Sequence, residues 1–263
     1  IENYKNTPIT CNGTPCDLTF IPFGTDDPAD LVIFAMRFGE LDDVIRRIGS
    51  QVGKNTVILS LINGITSQDM LSRAFGNDRV LLCTVQGMDV PRTGNDITYT
   101  DMGILNIGTH DGLPTDFIKM LTSFFDSAGF PYSLSTDMKK SLWERLVFNT
   151  GICQAVAVYE TDYDGVKREG APRQIMISAM EEAVSVGQAE GIALDDHTIA
   201  DWLTFIDGLD GVSISSMRRD LRAGRPTEVE LFSGTIRSLG KKHGIPTPTN
   251  DFLYDRIKEM ENG

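Results

Sequence analysis

Three residues in the segment SLWERLVFNTGIC, residues 141–153, carry side chains that can do chemistry: Arg145, Asn149 and Cys153. They are spaced four apart. On a helix each step of four drifts only about 40° around the axis, so the three form one slanted stripe. Between them stand apolar residues such as Leu142, Trp143, Leu146, Val147, Phe148 and Ile152, the pattern of a helix packed against a core. A guanidinium and a carboxamide on such a helix have two readings. They form a solvated face, as polar residues four apart commonly do, or they line a cleft between domains and bind an anion there. A guanidinium stays protonated at neutral pH and offers a planar fork of donors to a carboxylate, phosphate or developing alkoxide.

The rest of the chain narrows the choice. It has 263 residues with 24 basic and 37 acidic side chains, a net charge of −13. Nucleic-acid binding, which wants a basic stripe, is therefore not expected. A small anionic substrate needs only a locally basic site. The four cysteines, Cys11, Cys16, Cys83 and Cys153, form no CxxC pair, and there are three histidines, so no Cys/His metal site is expected. Scattered cysteines suit a reducing cytoplasm, the expected location. Apolar runs such as LVIFAM are strand-sized, so no membrane partner is expected. The first residue is Ile1, which places the expected start of the encoded protein upstream.

Up to about residue 135 strands and helices alternate. TPITCNGTPCDLTFIP, from Thr7, reads as a hairpin turning at Asn12-Gly13. DLVIFAM reads as a strand covered on both faces, and an amphipathic helix near residues 40–52 follows it. NTVILSLI and RVLLCTVQG read as further buried strands, with SQDMLSRAF as a short helix between them. DITYTD and ILNIGT read as extended, and a helix is expected in 114–128. This is an α/β pattern with a parallel sheet. From residue 136 the pattern is helical only, over 137–158, 172–190, 195–207, 213–224, 228–243 and 249–261. The expected organisation is an α/β domain over 1–135 and an all-helical domain over 136–263. The stripe lies on the first long helix after that boundary, where ligand sites between domains often form.

Four segments resemble the ketopantoate reductase (2-dehydropantoate 2-reductase) family. DLVIFAMRF is similar to a family strand ending in lysine, with Arg37 at the lysine position. LSLINGI is similar to a strand ending in Asn-Gly, here Asn63-Gly64. LWERLVFNTGIC is similar to a pattern of Trp, Lys-Leu and two asparagines four apart. SSMRRDLRAGRPTEVELFSGTI is similar to a Ser-Ser-Met, basic-turn, Thr-Glu stretch. The resemblance runs from about residue 8 to the end. It implies a Rossmann-type dinucleotide-binding domain followed by a helical domain, and NADPH- or NADH-dependent reduction of a small 2-oxo acid, 2-dehydropantoate to pantoate in pantothenate biosynthesis.

The resemblance also implies roles. Arg37 and Asn63 would contact the cofactor, Asn63 the substrate as well, and Ser216 the substrate carboxylate. Glu228 would lie near the cofactor ribose and the substrate hydroxyl, as both a catalytic and a cofactor-binding residue. Each has a plainer reading. Asn-Gly is a common turn pair, and Arg37 could be a surface arginine at a strand end. Glu228, after Pro226-Thr227, reads equally as a helix first-turn residue capped by Thr227 and favoured by the helix dipole.

The departures matter. Arg145 stands where the family has the lysine that protonates the ketone oxygen. An arginine is a poor general acid but can stabilise an alkoxide by charge and hydrogen bonding, with water delivering the proton. Lys140 lies about 140° round the helix and faces elsewhere. Asn149 matches the family's first asparagine. Cys153 replaces the second, so the substrate, the rate, or both are expected to differ.

No GxGxxG occurs in the sequence. The family's first strand, glycine-rich turn, helix and second strand would precede Ile1, so the Rossmann-type domain is expected to be incomplete in this chain. The residue that chooses between NAD and NADP ends that second strand.

Two other functions stay open: a catalytically weak paralogue that senses a nucleotide or acid, and a related dehydrogenase acting on an opine or a phosphorylated hydroxy acid. The basic residues of MRRDLRAGR would suit phosphate or simply form a solvated face. A homodimer is among the assemblies left open. One expectation is directly measurable. The 263-residue chain alone should bind NADPH weakly or not at all by calorimetry, because the amides that cradle pyrophosphate at a helix N-terminus are not in it; tight binding would mean that the pyrophosphate is held elsewhere.

Overall fold

The computed structural model describes residues 8–24, 27–87, 92–195 and 197–263. Thr7, at the start of the expected hairpin, and Asp196, inside the expected 195–207 helix, lie outside the described residues. The chain divides into two compact units, one of residues 1–62 and 67–138, the other of 63–66 and 139–263.

In the first unit Asn12 and Gly13 both take positive φ, 48° and 77°, as a two-residue hairpin turn requires. They join β1 (Thr10–Cys11) to β2 (Thr14–Pro15). The main sheet comprises β3 (Leu31–Phe34), β4 (Val57–Ser60), β5 (Val80–Gln86), β8 (Ile104–Gly108) and β9 (Tyr132–Leu134), in the order β3-β4-β5-β8-β9. Between β5 and β8, the short strands β6 (Arg92–Thr93) and β7 (Asp96–Ile97) pair with each other, and β7 pairs with β1. Helices α1 (Leu41–Ile48), α2 (Thr66–Phe75) and α3 (Asp116–Ala128) connect the strands. The Thr115 hydroxyl accepts from Ile118 N at 3.2 Å to start α3, and Gly129 in the left-handed region ends it. Its Ile118, Leu121 and Phe125 pack with Val57, Leu59, Leu81, Cys83, Leu105 and Ile107 into one core.

Three expectations for this unit are corrected. The sheet is mixed, because β5 and β8 run antiparallel while β3, β4 and β5 run parallel. The strand in DLVIFAM is not covered on both faces: β3 lies at an edge of the described sheet, and Ile33 is 44% exposed. In DITYTD only Asp96–Ile97 forms a strand. β9 was not anticipated; its three residues are too few to show a pattern.

The second unit is built around α4 (Met138–Val158). From Leu146 to Ala157 every residue of it is buried. The other helices are α5 (Tyr163–Lys167), α6 (Ala171–Ala189), α7 (His197–Asp207), α8 (Ser216–Arg222), α9 (Ser233–His243) and α10 (Pro248–Asn262). Two glycines let α4 and α6 approach closely. A Cβ on Gly151 would stand 2.6 Å from the Met180 side chain, and one on Gly187 would stand 2.8 Å from the Trp143 ring.

Buried polar groups tie α4 to α9 and α6 to α10. Gln154 Oε1 accepts from Ser233 Oγ at 2.6 Å, and Asn250 Nδ2 donates to Glu182 Oε2 at 2.7 Å. The helical pattern over 228–243 is broken in fact. A 3-10 turn at Val229–Leu231 ends at Phe232, whose φ of −104° and ψ of −97° are not helical, and α9 starts afresh. No helix among the described residues is long and apolar enough to cross a membrane.

Candidate active site

The stripe on α4 is not a solvated face. Asn149 is 4% exposed, Cys153 is 8% exposed and Arg145 is half-buried. Among the described residues no carboxylate pairs with Arg145. Its guanidinium lies over the Phe148 ring, 4.9 Å from the centroid. Phe148 is held by Trp202 and Phe205 of α7, with ring centroids 4.5 and 5.7 Å away. The arginine thus has an aromatic floor and no counter-ion from the described chain. Burial lowers the guanidinium's hold on its proton, yet an arginine keeps its charge. The neighbouring Asn149 Oδ1 takes a long contact of 3.9 Å from Cys153 Sγ, and its amide Nδ2 donates to no described group. Lys140 does face elsewhere: its Nζ lies 3.7 Å from Glu144 and 3.6 Å from Asp195.

The segment leading into α8 docks on this stripe. Ser215, one residue before α8, caps the helix by accepting from Arg218 N at 3.2 Å and donates its hydroxyl to Cys153 O at 3.1 Å. Ser216 itself is exposed at the first helical position. Tyr163 is tied to the same segment through its backbone N, which donates to Ser213 O at 3.0 Å. Burial pushes the Cys153 thiol up to about 12, with Arg145 and Arg219 pulling the other way and Glu228 adding to the rise. Burial likewise pushes the Tyr163 phenol up to about 12; the Cys153 thiol adds to that rise, and Arg219 and Arg145 oppose it. The bonded geometry thus brings the Ser213–Ser215 segment, Tyr163 and the Cys153 end of the stripe together.

Asn63 and Glu228 meet across 165 positions of sequence: Asn63 Nδ2 donates to Glu228 Oε2 at 2.9 Å. Gly64 beside them has φ of 83°, and a Cβ there would press within 3.3 Å of Leu231 Cβ, so glycine suits the position twice over. Glu228 is not the first-turn residue that the sequence suggested. It precedes a 3-10 turn, while Thr227 Oγ1 bonds Glu261 Oε1 at 2.7 Å and accepts from Val229 N at 3.3 Å. A helix dipole does not explain the glutamate, because no α-helix starts there. Its described partner is Asn63.

Arg37 belongs to the first unit, exposed three residues past the end of β3. Sequence reasoning brought forward Arg145, Asn149, Cys153, Ser216, Asn63 and Glu228, all in the second unit. It did not single out Ser215 or Tyr163, which the structure places against the stripe and the segment docked on it. Ser215 had a usable signal, since a serine three residues before Arg218 fits a helix cap.

Comparisons with known proteins bear on the family and the fold. The family model described as ketopantoate reductase PanE/ApbA matches residues 4–112, and the one for its C terminal matches residues 137–261. The 2-dehydropantoate 2-reductase of Vibrio cholerae is 26% identical over 89% of this chain and 78% of its own length. That of Aquifex aeolicus is 25% identical over 93% of this chain and 78% of its own. Among solved structures, D-mandelate dehydrogenase with NADH and anilino(oxo)acetate superposes with a TM-score of 0.86 at 20% identity, over 95% of this chain and 83% of that one. A ketopantoate reductase from Ralstonia eutropha gives 0.80 at 26% identity, over 90% and 77%. The fold is a Rossmann-like N-terminal domain with a helical C-terminal domain.

The buried thiols give a test of the packing. Cys83 and Cys153 are both pushed up to about 12 by burial, against an ordinary thiol near 9.0, so both stay protonated in the folded chain at pH 8. Ellman's reagent at pH 8 should react only with the more accessible Cys11 and Cys16. The native chain should lose stability as pH rises above about 9, where the unfolded chain releases thiol protons that the folded one retains. Rapid labelling of Cys153 in the native chain would contradict its burial in the stripe.

Proposed function

The chain belongs to the ketopantoate reductase family, and we propose that it reduces a small 2-oxo acid of the 2-dehydropantoate kind with NADPH or NADH. One observation carries this reading: the half-buried Arg145 lies on Phe148 with no described counter-ion, beside an Asn149 amide that has an unused donor. A desolvated cation with aligned donors favours negative charge appearing on a bound oxygen.

The residues fit the cofactor where they can be judged. The bonded Asn63–Glu228 pair offers an amide and a carboxylate suited to ribose hydroxyls, next to a glycine that keeps the backbone open to close approach. Arg37 would hold a phosphate. A bound nicotinamide supplies the hydride. Ser216 and Asn149 would hold the acid's carboxylate and carbonyl, with Cys153 lining the site and Asn63 also reaching the substrate. Arg145 would stabilise the alkoxide oxygen by charge and hydrogen bonding while keeping its own proton, so the proton reaching that oxygen comes from water. Glu228 would accept the new hydroxyl's hydrogen bond and orient it.

Arginine at the position of the family's lysine favours one rival, a chain that binds the acid without rapid turnover. NADPH oxidation across a panel of 2-oxo acids by the full-length protein separates the two.

In an active enzyme Arg145→Ala should lower kcat by roughly a hundredfold or more, the scale of losing one transition-state donor. Arg145→Lys should add an alkaline limb to kcat, because a partly buried lysine loses its proton within reach of ordinary buffers. Glu228→Gln should reduce turnover strongly at little cost in stability, since the Thr227 contacts remain. Steady-state kinetics beside melting curves read all three. Normal turnover in Arg145→Ala, with stability within about 0.5 kcal/mol, would reduce Arg145 to an ordinary surface residue.

A further inference from the structure

Arg145 does not meet an isolated ring. Phe148, which lies under its guanidinium, packs against two aromatic side chains of α7, and the three rings form a continuous wall on one flank of the stripe. On α4, Phe148 comes three positions after Arg145 and one before Asn149, so the wall begins within one turn of both polar groups. Trp202 stands tilted on Phe148, with 4.5 Å between centroids and 36° between planes. Phe205 meets both rings edge to face, at 5.7 Å and 74° from Phe148 and at 5.6 Å and 82° from Trp202. Offset and T-shaped geometries of this kind are the ones aromatic rings prefer.

The wall is buried at one end and open at the other. Phe148 is 7% exposed, and Ile206, next to Phe205 on α7, is fully buried. Trp202 is half-buried and Phe205 is 46% exposed, while Asp201, Thr204 and Asp207 around them are polar and exposed. A ring left in water forfeits apolar burial. Phe124 and Phe252 are as exposed as Phe205. What sets Phe205 apart is its place: it packs on the ring that carries Arg145, a cation that no described carboxylate pairs. An anion held by that guanidinium therefore has open aromatic surface beside it, and all of these residues belong to the helical unit.

We propose that Phe148, Trp202 and Phe205 form an aryl-binding wall of the substrate site, and that the preferred 2-oxo acid carries an aromatic ring on C2 or C3. A ring laid against Trp202 and Phe205 repeats the geometry those residues already adopt with Phe148, and it removes apolar surface of both partners from water. An apolar wall joined to a few polar groups also orients its ligand, with the acid's oxygens at Arg145 and Asn149 and its ring along α7. The placement of the oxygens rests on the reductase reading; the aromatic wall does not.

Calorimetry on the full-length protein, saturated with its reduced cofactor, tests this without turnover. The titrants are phenyllactate and lactate, 2-hydroxy acids that differ by one ring. Phenyllactate should bind about tenfold tighter or more, the scale of covering one ring. Phe205→Ala, its folding checked by a melting curve, should weaken phenyllactate about fivefold more than lactate, the scale of losing one aromatic pair. Phe205→Leu keeps apolar bulk without the ring and serves where the alanine variant fails to fold; it should erode the preference by about threefold.

Equal affinities in the unaltered protein overturn the proposal. So does a folded Phe205 variant that keeps the full preference, since the ring would then bind elsewhere. Neither result touches the reductase reading. If the preference and its loss both appear but phenylpyruvate is not reduced, the aromatic wall stands and the reductase reading fails. Absence of binding by either acid overturns both.

Discussion

Arg145 keeps its charge at a half-buried position with an aromatic ring beneath it and no described carboxylate beside it. Removing a charge from water is costly unless something compensates, and a cation–π contact of about 0.5–2 kcal/mol covers only part of that cost. The helix tolerates the arrangement because its other contacts are strong. The run from Leu146 to Ala157 is buried throughout, and Gly151 and Gly187 bring α4 and α6 close enough for Met180 and Trp143 to fill the gap. The stability of this unit therefore comes from packing around α4, and the stripe is carried as a partly desolvated polar feature on that helix. Such features persist where binding an anion compensates for them.

The remaining residues follow from that placement. Ser215 ends the loop before α8 by bonding the carbonyl of Cys153, which sets where Ser216 stands. Cys153 is buried on the stripe, and its burial keeps it a neutral thiol. Asn63 and Gly64 group with the helical unit, and the bond from Asn63 to Glu228 ties the end of a strand-derived segment to the turn before α9. The 3-10 turn matters here. A continuous helix from 228 would hold Glu228 in its own first turn, and the break at Phe232 frees the carboxylate to meet Asn63 instead.

Much of this was legible in the sequence, for identifiable reasons. The apolar spacing around Arg145 marked α4 to within a residue at its start, and Asn12-Gly13 marked the hairpin because few other pairs accept positive φ twice in a row. The Trp, Asn and Thr-Glu signatures brought Arg145, Asn149 and Glu228 forward together. The illegible parts depend on tertiary context. β9 and α5 are too short to show periodicity, so Tyr163 passed unnoticed. The exposure of Ile33 depends on which strands flank β3, which no local pattern reveals.

The central claim is that the charge and donors of Arg145 act directly on the reacting oxygen, and chemical rescue addresses it most directly. The full-length Arg145→Ala variant would be assayed with its 2-oxo acid and cofactor while free guanidinium is raised through low millimolar concentrations, well below those that unfold proteins. The account expects kcat to recover in a saturable way with guanidinium, and less well with methylammonium, which lacks the planar fork. A folded variant that guanidinium fails to rescue while methylammonium and simple salt do no better, or one already at wild-type rate without any additive, would contradict it.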